Sequence, residues 1–317
     1  MKWTPFEHDI YRILQDLQGS SVLVGLSGGA DSVCLANILK TFEVPLQLKI
    51  HLIHCHHGQS KDSQTQIFRD QAAQFCQNFA EKLQIPLSFK RYDDTEELNS
   101  ESKMRDFRHT IFRQKKDELG FLYIATAHHQ DDVLETRLMR LIRGTGLYGL
   151  EAMRFQQGSM IRPLLNVSRD QILSYLHEKG LVYIEDPSNQ DPGYFRNWIR
   201  NEWLKSLEVR QPGAKASLSR SLELILQEVD QRENLEFDSE NLAYSSYLTL
   251  DLIQKKTLLA RYIMSLGIRN YSLGHIEEII KQLDNSDSRH RFRVCGLEWA
   301  IDAGRIRANR SKSSPSV

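Results

Sequence analysis

The sequence predicts an α/β protein: a doubly wound parallel sheet, Rossmann-like, followed by a smaller, mainly helical domain. Short apolar runs recur through the first two hundred residues, and a segment of helical periodicity follows each of them. Strands alternating with helices of that length pair in parallel, with helices on both faces. At Pro212-Gly213 the alternation stops and helical patterns take over.

Each element has its own signal. Val22–Leu26 is an apolar run that meets Ser27-Gly28-Gly29-Ala30-Asp31-Ser32, after which Val33–Thr41 turns helical. Leu48–His54, Leu87–Tyr92 and Phe121–Ala127 are the further strand candidates, and Ser63–Leu83, Ser100–Leu119 and Asp131–Arg143 the helices between and after them. Ser168 stands where an N-cap belongs for a helix over Ser168–Lys179, and Gly180 stops it. Past Pro212-Gly213, Leu218, Leu222, Ile225, Leu226 and Val229 fall on one helical face, as do Ile276, Ile279, Ile280 and Leu283. Core packing is the reading such stripes favour. RFRVC, LEWAI and RIRA are short strand-like pieces, so the chain is expected to end in a short β hairpin, and SKSSPSV as a disordered tail. The expected domains are residues 1–210 and 211–317.

Composition limits the function. At 317 residues the chain has room for two domains of roughly 100–200 residues each. No apolar stretch reaches membrane-spanning length and the N-terminus lacks a signal peptide's apolar core. Cys34, Cys55, Cys76 and Cys295 are scattered, with no C-x-x-C pair, which suits a reduced, cytoplasmic protein without disulfide, zinc ribbon or iron–sulfur centre. Net charge is zero, so a nucleic-acid partner must be held by local patches. Residues 221–240 carry seven acids and one base; residues 289–312 carry seven bases, Arg289, Arg291, Arg293, Arg305, Arg307, Arg310 and Lys312, against Glu298 and Asp302. Both runs read as solvated surface, and the basic one also as a rest for a phosphate backbone.

Ser27–Ser32 lies between a buried strand and a helix. Glycines there permit positive φ and close approach, and the amides that follow face outward at a helix N-terminus, an anion site. The hydroxyls of Ser27 and Ser32 can donate to phosphate oxygens. Asp31 beside an anion makes sense once Mg²⁺ bridges them. A tight turn with a capping Asp is the plainer reading, which the flanking strand and helix disfavour. No Walker A sequence occurs. Gly144-Thr-Gly-Leu-Tyr-Gly149 has dinucleotide-fingerprint spacing but follows a helix rather than a strand, so dinucleotide binding is rejected. In Ala125–Thr136 the strand-to-helix junction carries His128, His129, Asp131, Asp132 and Glu135. Asp132 and Glu135 share a helix face, and ligands gather at such strand ends. Capping and salt bridging to arginines a turn away would also account for them.

The Ser-Gly-Gly-x-Asp-Ser motif resembles the PP-loop family of ATP pyrophosphatases, whose members cleave ATP between the α- and β-phosphates and adenylate a carbonyl oxygen. Further segments narrow the resemblance to the tRNA(Ile)-lysidine synthetase family. They are His54-Cys-His56-His57-Gly58, Glu101…Arg105…Arg108-His109, the Ala125–Thr136 run continuing to Leu150, Arg162-Pro-Leu-Leu165, Glu185-Asp-Pro-Ser-Asn189 and Arg196-Asn-Trp-Ile-Arg200. Together they span residues 20–205. His109 stands where that family has tyrosine, Lys103 a small residue and His56 asparagine; longer members carry a further C-terminal domain.

The resemblance implies that residues 1–210 form an ATP-binding catalytic domain and 211–317 a helical tRNA-binding domain. It implies ATP and Mg²⁺, free L-lysine, and tRNA(Ile) with a CAU anticodon. The wobble cytidine would be adenylated on its C2 oxygen and the lysine amine would then displace AMP, so that codon reading changes from AUG to AUA. Ser27, Gly28, Gly29, Ala30, Asp31, Ser32 and His128 would bind the nucleotide, with Asp31 on the metal. Asp132 and Glu135 would orient the lysine ammonium, take a proton from it or share the metal. Arg105 and Arg108, three apart on a helix, would meet phosphate or adenylate, and Arg196 and Arg200 RNA phosphates. No membrane is expected, and a homodimer is among the expectations. The alternatives are another PP-loop tRNA-modifying enzyme or a non-catalytic nucleotide- or RNA-binding module. A thiolating enzyme would need a cysteine pair, an amidotransferase an N-terminal cysteine where Lys2 stands, and a decayed module would not need Asp31, Asp132 and Glu135.

Overall fold

Alternate residues of a strand point to opposite faces, and the first strand shows what that does here. In the computed structural model, which describes residues 3–92, 101–145, 147–151, 153–191, 193–232, 242–268, 271–285 and 291–310, β1 (Ser21–Gly25) sends Val22 and Val24 to one face and Leu23 to the other. Val22 and Val24 pack with α1 (Pro5–Leu14), α2 (Ala30–Phe42) and α3 (Ser63–Leu83); Leu23 packs with Ile53, Ile124 and Phe112. Phe112 belongs to α4 (Glu101–Leu119), so the sheet is covered on both faces by helices.

β2 (Lys49–His56), β3 (Leu87–Arg91) and β4 (Tyr123–Ala125) follow, and α5 (Gln130–Ile142) leaves β4. Then come α6 (Leu147–Leu150), β5 (Gln156–Gln157), β6 (Met160–Ile161) and α7 (Arg169–Glu178), which Ser168 caps as the sequence indicates. The sheet order is β3-β2-β1-β4-β6-β5, parallel except for β5. The chain runs outward from β1 to β3 and returns to the far side of β1 as β4. Beyond the carboxyl ends of β1 and β4 lies the crevice where such sheets bind ligands. β5 and β6 were not foreseen: two residues are too few to show a period. β4 is also shorter than Phe121–Ala127: Thr126 N–H makes a last bond to Ile161 O at 3.0 Å, and Thr126 Oγ1 lies 3.0 Å from His128 Nδ1 in the loop that follows.

By contacts the chain forms two units, Met1–Val133 with Met153–Ser206, and Leu134–Ala152 with Leu207–Val317. The short helix α8 (Phe195–Trp198), a π-helical stretch (Ile199–Trp203) and α9 (Leu204–Arg210) lead out of the first. In the second, α10 (Ala214–Arg232) begins at Pro212-Gly213, where Glu208 accepts from Gly213 N–H at 2.6 Å and Lys215 N–H at 3.0 Å. Its expected core stripe is only partly realised: Leu222 is buried, Leu218 and Leu226 half-buried, and Ile225 exposed. The Val229 side chain lies outside the described residues, as do residues 233–240 of the acidic run, Arg289, Lys312 and the SKSSPSV tail.

α11 (Tyr244–Leu248), α12 (Leu252–Ser265) and α13 (Leu273–Asp284) cover a small antiparallel sheet, and Ile276, Ile279, Ile280 and Leu283 are buried as expected. The sheet has three strands in the order β7 (Arg291–Val294), β8 (Leu297–Asp302), β9 (Arg305–Arg310), rather than the two of a hairpin. Each of the three strand-like pieces pairs, because alternation gives each an apolar side. Trp299, Ile301, Ile306 and Ala308 face the core. The Gly144–Gly149 run also has a local explanation: Gly144, at φ +73°, ends α5, and a Cβ on Gly149 would stand 1.7 Å from Thr145 Oγ1. Backbone conformation calls for glycine at Gly144 and close packing at Gly149, while Gly146 lies outside the described residues. Among the described residues no helix is long and apolar enough to cross a membrane.

Candidate active site

The bend after β1 is held by its own side chains. Gly28 has φ +87°, and a Cβ there would meet Ile184 Cδ1 at 2.9 Å, so glycine is required for both conformation and space. Ile184 N–H donates to Gly28 O at 3.0 Å, which lays the segment after α7 across the bend. Ser32 Oγ–H donates to Gly29 O at 2.9 Å and accepts from Ser27 N–H at 3.1 Å; Ser27 Oγ lies 3.1 Å away. The two serines thus shape the bend, a role the sequence reading did not assign them beside phosphate binding. Gly29 is the N-cap of α2 and no side chain caps its first turn. The amides of Ala30, Asp31 and Ser32 face outward at the positive end of a 13-residue helix, which suits an anion.

Asp31 projects from that turn into a cluster of charges. Arg169 Nη1 hydrogen-bonds to Asp31 Oδ1. His129 Nε2 stands 3.7 Å from Asp31 Oδ2 and 3.5 Å from Asp132 Oδ2. His129 Nδ1 accepts from Asp131 N–H at 3.3 Å, so a neutral His129 carries its proton on Nε2, between the two carboxylates. Asp132 Oδ2 accepts from His129 N–H at 3.1 Å, and Arg200 Nη2 lies 3.2 Å from Asp132 Oδ1. Burial works against the charge on Asp132, yet His129, His128, Arg200 and that amide hold its carboxyl below the usual carboxylate range.

His128 is driven the other way. Burial lowers it to about 4 despite the pull of Asp132, with Arg162, Arg105 and Arg108 adding to the effect. It is a neutral imidazole at pH 7. Arg105 and Arg108, half-buried on α4, also bear on His109, which burial and these arginines lower to about 4. At the carboxyl end of β2, burial and Arg108 lower His57 to about 3, and its Nδ1 is buried without a hydrogen-bond partner. His56, in place of the resembled family's asparagine, keeps that turn closed: Nδ1 accepts from Gly58 N–H at 3.1 Å and Nε2 bonds Asp70 at 3.0 Å.

Ser27–Ser32, Asp31, His128, Asp132 and Arg200 are therefore brought to one corner of the sheet, with Arg105 and Arg108 close enough to act on His128. Arg200 is turned to a carboxylate of this corner. Arg196 is half-buried on α8. Glu135 is buried one turn beyond Asp132 on α5 and belongs to the second unit. Arg169 was missed, although a signal existed: as the first residue of α7 it puts a cation at the positive end of a helix, a local conflict that asks for a reason. Among the described residues no group of three or more His, Cys, Asp or Glu could form a protein-only metal cage. Mg²⁺ needs no such cage. It takes one or two carboxylates and fills its shell with phosphate oxygens and water, and Asp31 beside uncapped amides fits that demand.

A model of the PP-loop domain matches residues 3–207. The chain is 40% identical over 310 residues to the tRNA(Ile)-lysidine synthase of Bdellovibrio bacteriovorus, covering 95% of this chain and 96% of that protein. It is 34% identical over 315 residues to the tRNA(Ile)-lysidine synthase of Nitrosomonas europaea, covering 94% of this chain and 67% of that longer protein. Among solved structures it is similar to the U34-tRNA thiolase NcsA from Methanococcus maripaludis with its 4Fe-4S cluster, at TM-score 0.57 and 21% identity, over 74% of this chain and 80% of that one. That likeness shows a shared fold. The glycine bend is thus the signature of a domain spanning most of the first two hundred residues, and the similarity to the Bdellovibrio protein runs on through the second unit: the chain belongs to the tRNA(Ile)-lysidine synthase family of PP-loop proteins.

Proposed function

We propose that this protein converts the wobble cytidine of tRNA(Ile) with a CAU anticodon to lysidine, using ATP and free L-lysine. The observation that carries the reading is the meeting of Asp31, at the uncapped end of α2, with His129, which also faces Asp132. A phosphate site and a carboxylate able to hold an ammonium share one corner.

In the first step the amides of Ala30–Ser32 receive the β- and γ-phosphates. The C2 oxygen of cytosine attacks the α-phosphorus, the α–β bond breaks and pyrophosphate leaves. Asp31 would hold Mg²⁺, which supplies neutralisation of the phosphate charge during the displacement. Arg169, beside Asp31, is placed to share the pyrophosphate. The cytosine must leave its stack to reach this corner. In the second step the lysine amine attacks C2 and AMP departs. Asp132, held ionised by Arg200 and the His129 amide, anchors the ammonium better than it takes a proton from it. The attacking amine gives up its proton to a carboxylate or to water. Arg105 and Arg108 meet the adenylate phosphate. No observation favours sulfur transfer: Cys34, Cys55 and Cys76 are buried free thiols, and burial holds Cys55 and Cys76 up at about 12.

Mass analysis of nucleosides from tRNA(Ile) incubated with the protein, ATP, Mg²⁺ and lysine tests the reading; lysidine is expected, with pyrophosphate release that depends on the tRNA. Asp31→Asn is expected to lower turnover by about 10³-fold or more, the scale on which a metal-held charge matters, while tRNA binding stays within about twofold. Unchanged turnover in Asp31→Asn would remove the metal assignment.

A further inference from the structure

The segment Tyr194–Trp203 carries a feature that the phosphate chemistry leaves unused. Tyr194, Phe195, Trp198 and Trp203 each leave more than a third of their surface in water. Phe195 and Trp198 stack on one another, with centroids 5.8 Å apart and planes 10° from parallel. The backbone beneath is fixed. Ile199 is fully buried, Asn197 Nδ2 donates to Ser188 O at 2.8 Å and Asp191 O at 3.0 Å, and Asn201 Nδ2 donates to Asn189 O at 2.8 Å. From Ile199 the helix widens to a π turn, in which Leu204 N–H reaches back to Ile199 O. Such turns are rare and gather at functional sites. Arg200, on this turn, reaches Asp132. The exposed rings therefore lie on the same short, hydrogen-bonded segment as Arg200, whose guanidinium reaches the carboxylate corner.

We propose that the stacked Phe195–Trp198 pair is a platform for one unpaired nucleobase of single-stranded RNA, a neighbour of the cytidine that enters the site. Three features favour this occupant. The surface is aromatic and flat, and a two-ring stack continues naturally into a third ring. Basic residues interleave with the rings, Arg196 and Arg200 here and exposed Lys205 beyond, the pattern of single-strand binders. Extracting one base from a loop also unstacks its neighbour, which then needs a new face to lie on. The inference rests on the tRNA reading above and deepens it.

The test is binding of a labelled anticodon stem–loop, followed by anisotropy, to the full-length protein and to Trp198→Ala, Trp198→Phe and Phe195→Ala. A fully paired RNA duplex of equal length, ATP affinity and the melting temperature serve as controls. Trp198→Ala is expected to weaken stem–loop binding about tenfold, within the range of base–aromatic stacking, and Trp198→Phe to retain it within about threefold. Duplex binding and ATP affinity should not move. Equal binding by Trp198→Ala, or parallel losses for duplex and ATP, overturns the platform. If the unaltered protein forms lysidine while Trp198→Ala keeps the same KM for tRNA, only the platform falls. If the unaltered protein forms no lysidine and binds no stem–loop, the tRNA reading falls with it.

Discussion

Arg169 already occupies the carboxylate that the proposed function assigns to Mg²⁺, Asp31. With nucleotide bound, Mg²⁺ would need the same oxygens. On the proposed function, Arg169 would pass from Asp31 to phosphate oxygens, leaving the carboxylate to hold Mg²⁺. Arg169→Ala is therefore expected to weaken Mg·ATP binding by about tenfold, the worth of a hydrogen bond between charged groups, measured by isothermal titration. Unchanged affinity would reduce the contact to a surface ion pair. Residue-scale legibility was uneven. Asp31, Asp132 and the glycines were readable because their types and spacing are local. That His129 Nε2 lies between Asp31 and Asp132 was not, because it takes two loops from different strands to make the cluster.

Elements were readable where both ends carried a local signal. The helix over Ser63–Leu83 was placed to the residue: Asp62 caps it by accepting from Thr65 N–H at 2.7 Å, and Gln84 leaves it in a left-handed conformation at φ 54°. The α10 stripe failed in part because periodicity marks a face without saying what covers it. The contact of α1 with α7 makes its own prediction. Glu7, which completes the Thr4 capping box, is buried and meets Lys179 Nζ at 2.8 Å and the Tyr175 hydroxyl at 3.2 Å. Burial alone would raise its carboxyl, but Lys179, the Thr4 amide and Tyr175 outweigh it and hold it below its ordinary 4.5. Its stabilising effect is then complete above pH 4.5 and fades as pH falls through the lowered folded value. Glu7→Gln should cost about 1–3 kcal/mol at pH 7, from a lost charged hydrogen bond in a buried setting. In urea titrations the gap between the two proteins should narrow below pH 4.5. A gap that stays constant into acid would exclude this carboxylate as its source.

At the scale of the whole molecule, zero net charge conceals an uneven surface. The buried–exposed alternation of β7–β9 turns Arg291, Arg293, Arg305 and Arg307 away from the core, and register sets Arg291, Ala300 and Arg307 in one row across the sheet. Glu298 and Asp302 share that face. If it rests on tRNA phosphates, replacing Arg305 and Arg307 by Gln should flatten the slope of log K against log salt by roughly 1–2, since each neutralised phosphate contributes about 0.9. An unaltered slope would make the face ordinary solvated surface. The sequence by itself determined the parallel α/β class, the glycine bend at the end of β1, the Ser168 cap and the limits of α3, α4, α5 and α7 to within a residue, because each is written in neighbouring residues. Only the tertiary structure decided the two-residue strands, the third strand of the small sheet, the loop-shaping part played by Ser32, and the pairing of Asp31 with Arg169. Those two are 138 positions apart, and no local pattern of polarity or spacing encodes a contact of that range.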